Sequence, residues 1–349
     1  MKTLVMGGNR YIGLQLVEEL VEQGHEVTVL NSHDAPLPKS VRRLVGDRHG
    51  AGVLERLLNP LRNSFDAVFD NTAYTPDHLR PMIELFRGRV RHFIFTSSIA
   101  VYEMAAAQPI EETCSVGRDA ETALYGAYAA GKVSCEELLA HEFQTNGLPF
   151  TSLRVTHTCG PRSPAVSREP GAFRRLELGR PLLIAGKTEA MVHFIHTRDV
   201  ARALCAVLGK DKAAGEIYNV AGKQYSSIEN YMRLMANAVG VEPTIIDMPA
   251  DLPAHMRSPV GHWLEASRGS MIFSIDKARR DLGWEPKFTL AEGLADSYAW
   301  FRDGGRDRYQ YDFTMDDDIL AELDRRGGVA KTNEPPRTVI REQISLKNM

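Results

Sequence analysis

The run Lys2-Thr3-Leu4-Val5-Met6 is short and largely apolar, and a Gly7-Gly8 pair interrupts it. Beyond the pair, Ile12, Leu16, Leu20 and Val21 recur with the period of an amphipathic helix, so the chain opens as strand, tight turn, helix. A second strand is predicted from Glu26 to Leu30, at the spacing of a βαβ unit. Further strand-like runs fall at Val41 to Val45, Asp66 to Asn71, His92 to Ser97 and Phe150 to Val155, and helical periodicity covers His78 to Phe86 and Lys132 to Phe143. This alternation predicts an α/β protein with a Rossmann-type, doubly wound parallel sheet.

After Val155 the rhythm breaks at Cys159-Gly160-Pro161-Arg162-Ser163-Pro164, where a smaller, discontinuous α/β lobe is expected to begin. The expected division is 1–155 plus about 193–222 as the first domain, about 156–192 plus 223–303 as a substrate lobe, and 304–349 as a C-terminal extension. That extension is charged and carries breakers at Gly327-Gly328 and Pro335-Pro336, which predicts an appendage that wraps a neighbouring subunit or stays mobile.

Composition narrows the partners. With 43% hydrophobic and 25% charged residues over 349 positions the chain can bury a large core, and a net charge of -3 supplies no basic field for nucleic acid. No apolar run is long enough to cross a membrane, and Met1 leads directly into the first strand, so a cytoplasmic protein is expected. Cys114, Cys135, Cys159 and Cys205 are too scattered for a metal site and are expected to be reduced, with no metal bound.

The glycine turn has the chemistry of a phosphate cradle. Small residues let backbone N–H groups approach a pyrophosphate, and the positive end of the following helix stabilises its charge. Gly7, Gly8, Asn9, Arg10, Tyr11, Ile12 and Gly13 are therefore candidate cofactor contacts, with Arg10 in the slot where a middle glycine is usual. At the end of the second strand stands Asn31, followed by Ser32 and His33. An amide there does not repel a 2′-phosphate, and Arg10, His33, Arg42 and Arg43 are available to pair with one, which favours NADP; Asn31 can equally serve the free ribose of NAD.

Tyr128 and Lys132 lie four apart at the start of a predicted helix, so they share a face. An ammonium there is expected to lower the tyrosine pKa toward the range of a general acid or base. Ser98, ending a strand at the ligand-binding edge of a parallel sheet, is placed to orient a reacting oxygen. The expected division of labour is proton transfer by Tyr128, ribose binding and tuning by Lys132, and substrate orientation by Ser98.

Together these segments resemble the extended short-chain dehydrogenase/reductase superfamily, specifically the NAD-dependent epimerase/dehydratase family typified by UDP-galactose 4-epimerase. The carriers are Gly7 to Gly13, Gly46-Asp47-Arg48, Phe95 to Tyr102, Tyr128 to Lys132, Leu153-Arg154, Gly160-Pro161, Phe194-Ile195-His196 with Asp199, Tyr218-Asn219-Val220, and Asp276-Lys277-Ala278 leading to Leu282-Gly283-Trp284. The Arg10 variant of the turn resembles a subgroup that includes chloroplast stem-loop RNA-binding proteins. The resemblance implies that Asp47 meets the adenine, with Arg48 beside it, and that Ala73 lines the nicotinamide approach. It also implies that the second lobe binds substrate and that the Tyr128 helix pairs across a homodimer.

Departures from the family pattern narrow the reaction. Ile99 and Ala100 stand where dehydratases carry an acidic pair, so dehydration is disfavoured. His157 replaces an Asn, and Val192 and His193 replace a diphosphate-binding Arg, leaving Arg162 or Arg268 as substitutes. His193 and His196 are read as structural, and Glu103 as a solvated loop residue. The expected activity is an NAD(P)-dependent epimerase or oxidoreductase acting on a hydroxyl or keto carbon of a nucleotide sugar or similar polar small molecule. The alternatives are a net NADPH-dependent reductase or dehydrogenase of a small non-sugar metabolite, and a non-catalytic cofactor- or RNA-binding protein on the same fold.

Overall fold

The computed structural model describes every residue except 104–106, 120, 122–124, 186–189, 250, 253–255, 257–268, 328–340 and 343–349. In chain order the elements begin with β1 (Lys2–Met6), α1 (Tyr11–Glu22), β2 (Glu26–Asn31), β3 (Arg42–Val45), α2 (Val53–Leu58), β4 (Ala67–Asp70) and α3 (Pro76–Phe86). There follow β5 (His92–Ser98), α4 (Gly126–Asn146), β6 (Phe150–Val155), β7 (His157–Cys159), α5 (Glu169–Glu177), β8 (Leu182–Ala185) and β9 (Met191–His196). Next come α6 (Thr197–Ala206), β10 (Glu216–Val220), β11 (Gln224–Ser227), α7 (Ile228–Val239) and β12 (Ile245–Met248), with later helices at Asp276–Leu282, Leu290–Trp300 and Thr314–Arg325.

The chain forms two compact units, the first made of Met1–Thr156, Thr197–Ala221 and Phe273–Pro286. Its seven strands run in the order β10-β6-β5-β4-β1-β2-β3, and every pairing is parallel. This is the doubly wound arrangement that the strand–helix alternation specifies. The central strands β1, β4, β5 and β6 are buried almost throughout, and in β6 the burial includes Thr151, Ser152 and Arg154. Phe86, Phe93, Phe95, Leu139 and Phe150 lie in one core cluster beneath α3 and α4. α6 packs against α1.

Phe273–Pro286 belongs to this first unit, whereas the sequence pattern groups it with the smaller lobe. The reason is local pairing: Phe273 bridges Ile110, and the Lys277 ammonium donates to the Ile217 carbonyl at 2.8 Å and pairs with Glu216 at 2.6 Å. Such contacts are invisible to periodicity because the segment is short and its partners are distant in sequence.

The second unit comprises His157–His196, Gly222–Ile272 and Lys287–Met349. Strands β11, β9 and β7 form a sheet with the short strand Arg341–Glu342, and β8 pairs with β12. Phe194 stacks on Tyr231 with ring centroids 4.0 Å apart, and the Tyr231 hydroxyl donates to Glu169 at 2.7 Å. The start of the C-terminal extension is integral to this unit rather than appended: Ile319 and Leu323 of helix Thr314–Arg325 are buried with Leu183, Met248 and Leu252. A buried ion pair joins Asp316 of that helix to Arg175 of α5. Among the described residues no helix is long and apolar enough to cross a membrane.

Candidate functional site

The glycine turn is built so that side chains are excluded from it. Gly7 adopts φ +81°, and a Cβ there would lie 2.2 Å from Thr72 Cγ2. At Gly13 a Cβ would come within 1.9 Å of the Gly7 carbonyl oxygen, so α1 approaches the turn only because this residue is glycine. Gly7 N donates to the Leu30 carbonyl and Gly8 N to the Asn31 side-chain oxygen, at 3.0 and 2.9 Å. Asn31 is buried, so its side-chain oxygen braces the turn. The first turn of α1 carries no acidic residue. Beside it the Asn9 amide and the Arg10 guanidinium lie 3.1 and 3.4 Å from His33 Nε2, while Arg43 pairs with Asp34 at 3.1 Å.

Asp47 is exposed and accepts a hydrogen bond from its neighbour His49 N at 3.0 Å. Arg48 turns inward instead. It forms a bidentate pair with Asp70 at 2.8 and 2.9 Å and donates to Thr72 Oγ1 and the His78 carbonyl. Asp70 also accepts from Thr72 N and Ala73 N, each at 3.0 Å. Burial alone would raise Asp70, but the Arg48 charge and these hydrogen bonds outweigh it and hold the carboxyl below its ordinary range. The pair fixes the loop from Asp70 to Tyr74 at the carboxyl end of β4.

Tyr128 and Lys132 sit in the first turns of α4, and Ser98 ends β5. The Lys132 ammonium, 3% exposed, donates to the Ala73 and Thr96 carbonyls, both at 2.8 Å. It lies 4.6 Å from the Phe95 ring centre and 4.9 Å from that of Tyr74. Burial pulls its pKa down to about 8. Gly131 makes this contact reachable: a Cβ there would lie 2.4 Å from the Tyr74 carbonyl oxygen, so only glycine lets α4 approach the Asp70–Tyr74 loop this closely.

Tyr128 is 42% exposed, with Ser98 as a polar neighbour. Its pKa is raised, because desolvation by the surrounding protein outweighs the opposing influence of Ser98, and the neighbouring Tyr74 adds to the rise. This corrects the expectation that Lys132 lowers Tyr128. The ammonium donates to two carbonyls and lies beside two rings. Ser98 Oγ also accepts from Ala100 N at 3.2 Å, in a turn where Ile99 and Ala100 are buried.

One turn along α4, Glu136 pairs with Arg154 of β6 at 2.7 Å and accepts from Ser152 at 3.1 Å, all buried. Asn219 of β10 accepts the Tyr102 hydroxyl at 2.6 Å and donates to the Ile110 carbonyl at 3.1 Å. These residues support the site without facing it. Glu136, Asp70, Tyr74 and Gly131 escaped the sequence reading; a glycine directly before the lysine was the available signal for the last.

Of the candidates in the second unit, His193 is buried and donates from Nε2 to the Gly222 carbonyl at 2.8 Å, which assigns it to strand packing. His196 lies 3.1 Å from Asp296 and stacks on Phe288. His157 packs against the Phe194 ring, and burial, with Arg168 nearby, pulls it down to about 4. Arg162 is half-buried with φ +65°, a left-handed backbone after Gly160-Pro161. Arg268 lies outside the described residues. Glu103, in the first unit, is exposed.

A parallel sheet with a glycine turn after its first central strand and a Ser, Tyr and Lys grouped at its carboxyl edge defines a Rossmann-type protein. The chain belongs to the NAD dependent epimerase/dehydratase family, whose profile matches residues 3–221. It is 30% identical over 338 residues to chloroplast stem-loop binding protein of 41 kDa b of Arabidopsis thaliana, covering 92% of this chain and 84% of that protein. To the UDP-glucose 4-epimerase of Azospirillum brasilense it is 24% identical over 342 residues, covering 86% and 92%. Its fold is similar to that of the UDP-glucose 4-epimerase of Thermus thermophilus, solved in complex with NAD, with a TM-score of 0.70 at 23% identity, covering 87% of this chain and all of that one.

Proposed function

We propose that this protein is an NAD(P)-dependent epimerase or oxidoreductase acting on a hydroxyl or keto carbon of a nucleotide sugar or a similar polar small molecule. The observation that carries the proposal is the buried Lys132 one helical turn from Tyr128, with Ser98 ending β5, on the sheet edge that also bears the glycine turn. The cradle fits a dinucleotide, since a Cβ at Gly7 or Gly13 would fill it. Gly7 to Gly13 would hold the pyrophosphate, and Lys132 the nicotinamide ribose. When bound, the nicotinamide supplies a reversible two-electron acceptor. Tyr128 moves the proton at the substrate oxygen, and Ser98 orients that oxygen.

Epimerisation and net redox both need one proton transferred at one oxygen, which this pair provides. Elimination needs a further acid and base, and the buried Ile99 and Ala100 supply neither. The names of the relatives, UDP-glucose 4-epimerase among them, support a nucleotide sugar. Arg10 of the glycine turn, 3.4 Å from His33 just beyond β2, supports NADP over NAD.

Two measurements test this. Mass spectrometry of nucleotide released on denaturation should find NAD⁺ or NADP⁺ at stoichiometric level for an epimerase, and paired titrations should show cofactor exchange for a net reductase. Tyr128→Phe should retain dinucleotide binding and lose about 10²–10⁴-fold in turnover; full turnover in that variant rules the mechanism out. The similarity to a stem-loop binding protein supports a second reading, retention of RNA by the same fold. Salt-dependent RNA binding that Tyr128→Phe leaves intact would establish it.

A further inference from the structure

Lys132 and Tyr128 share a helix face, yet the ammonium is held by the carbonyls of Ala73 and Thr96. One side chain reaches both. The Tyr74 ring centre is 4.9 Å from Lys132 Nζ, and its ring leans on that of Tyr128 with centroids 6.0 Å apart and planes 50° apart. Tyr74 is nonetheless 48% exposed, an unusual setting for an aromatic whose backbone is so firmly fixed. Its N–H donates to His78 Nδ1 at 3.1 Å, its carbonyl abuts Gly131, and the preceding Ala73 is tied to Asp70 through N and to Lys132 through O.

We propose that Tyr74 is a positioning residue that holds Lys132 and Tyr128 in one arrangement, its ring beside the ammonium and tilted against that of the phenol. The proposal deepens the function proposed above and rests on it for the roles of those two groups. A cation over an aromatic face is confined without being neutralised, so Lys132 keeps a charge to offer a ligand. Contact between two rings fixes the tilt of Tyr128 at the rim of the sheet. The ionisable neighbours of Tyr128 are Tyr74 and Tyr125, with Ser98 as a polar neighbour; those of Lys132 are Cys135, Asp70, Glu136 and Arg48.

The test is a titration of tyrosinate absorbance, taken as the difference between a protein and its Tyr128→Phe counterpart, on the wild type, Tyr74→Phe and Tyr74→Leu. Tyr74→Phe keeps the ring and should leave the Tyr128 midpoint near that of the wild type, whereas Tyr74→Leu, which uncovers the phenol, should titrate at lower pH. In parallel, the Kd for NAD⁺ and NADP⁺ should rise about tenfold in Tyr74→Leu, which lacks the ring over Lys132. An unchanged Tyr128 midpoint in Tyr74→Leu overturns the proposal, and so does an unchanged Kd in that variant. Tyr74→Phe keeps the ring and should bind both dinucleotides as the wild type does; a tenfold rise in Kd there overturns the role of the ring even where the leucine variant folds poorly. A wild type that binds neither dinucleotide would sink the proposed function instead, while the titration would still decide the role of Tyr74.

Discussion

Two buried cations, Lys132 on helix α4 and Arg154 against it, are treated in opposite ways. Arg154 meets a carboxylate, Glu136, in a bidentate pair, and that pair with Ser152 locks the helix to β6. Lys132, one turn earlier than Glu136, meets carbonyl dipoles and ring faces. The first cation is neutralised and serves the fold. The second, among the described residues, has no contacting carboxylate, and burial depresses its pKa.

The contrast is breakable, first at the clamp. Glu136→Ala leaves the Arg154 guanidinium buried without its partner and should cost about 3–5 kcal/mol in chemical denaturation. A loss below about 1 kcal/mol would mean that the clamp is dispensable. Gly131→Ala tests the approach of α4 to the Tyr74 carbonyl; it should cost about 1–3 kcal/mol and weaken dinucleotide binding together, since helix or loop must move.

The smallest effect on stability is expected for Lys132→Met, within about 1 kcal/mol near neutral pH, because loss of the two carbonyl contacts offsets relief from burying a charge. Its signature is in the pH dependence. Folding lowers the Lys132 pKa from 10.5 to about 8, so between those values the unfolded chain binds a proton that the folded chain lacks. Stability should therefore rise with pH across that window in the wild type, and Lys132→Met should lose the rise. Parallel denaturation series would show the slopes converging if Lys132 stays protonated in the folded state throughout.

What could be read in the sequence follows from the same contrast. Strand β1 announced itself as an apolar run and β5 and β6 as strand-like segments, and the glycine turn carried its own backbone logic. Ser98, Tyr128 and Lys132 were legible as residue types at a spacing. Their electrostatics were not, because the groups that decide them are main-chain carbonyls of Ala73 and Thr96 and a tyrosine 54 positions before Tyr128. Glu136 looked like any solvated helix charge, since nothing local says that β6 will bring Arg154 to it. The tail misled for a different reason. Its charge and breakers masked the spacing of Met315, Ile319 and Leu323, an amphipathic stripe that was present in the letters all along.

The buried pair between Arg175 and Asp316 spans 141 residues of chain. A ribosome delivers Arg175 long before its partner, so the guanidinium stays hydrated and the Leu183 side of the second unit stays open while the intervening chain is made. The first unit has received most of its sheet by then, but the second closes only when the tail helix arrives. Messages or proteolysis that end the chain before Thr314 would release a protein with its dinucleotide cradle complete and its other half unfinished, a form that quality-control proteases would recognise by exposed apolar surface.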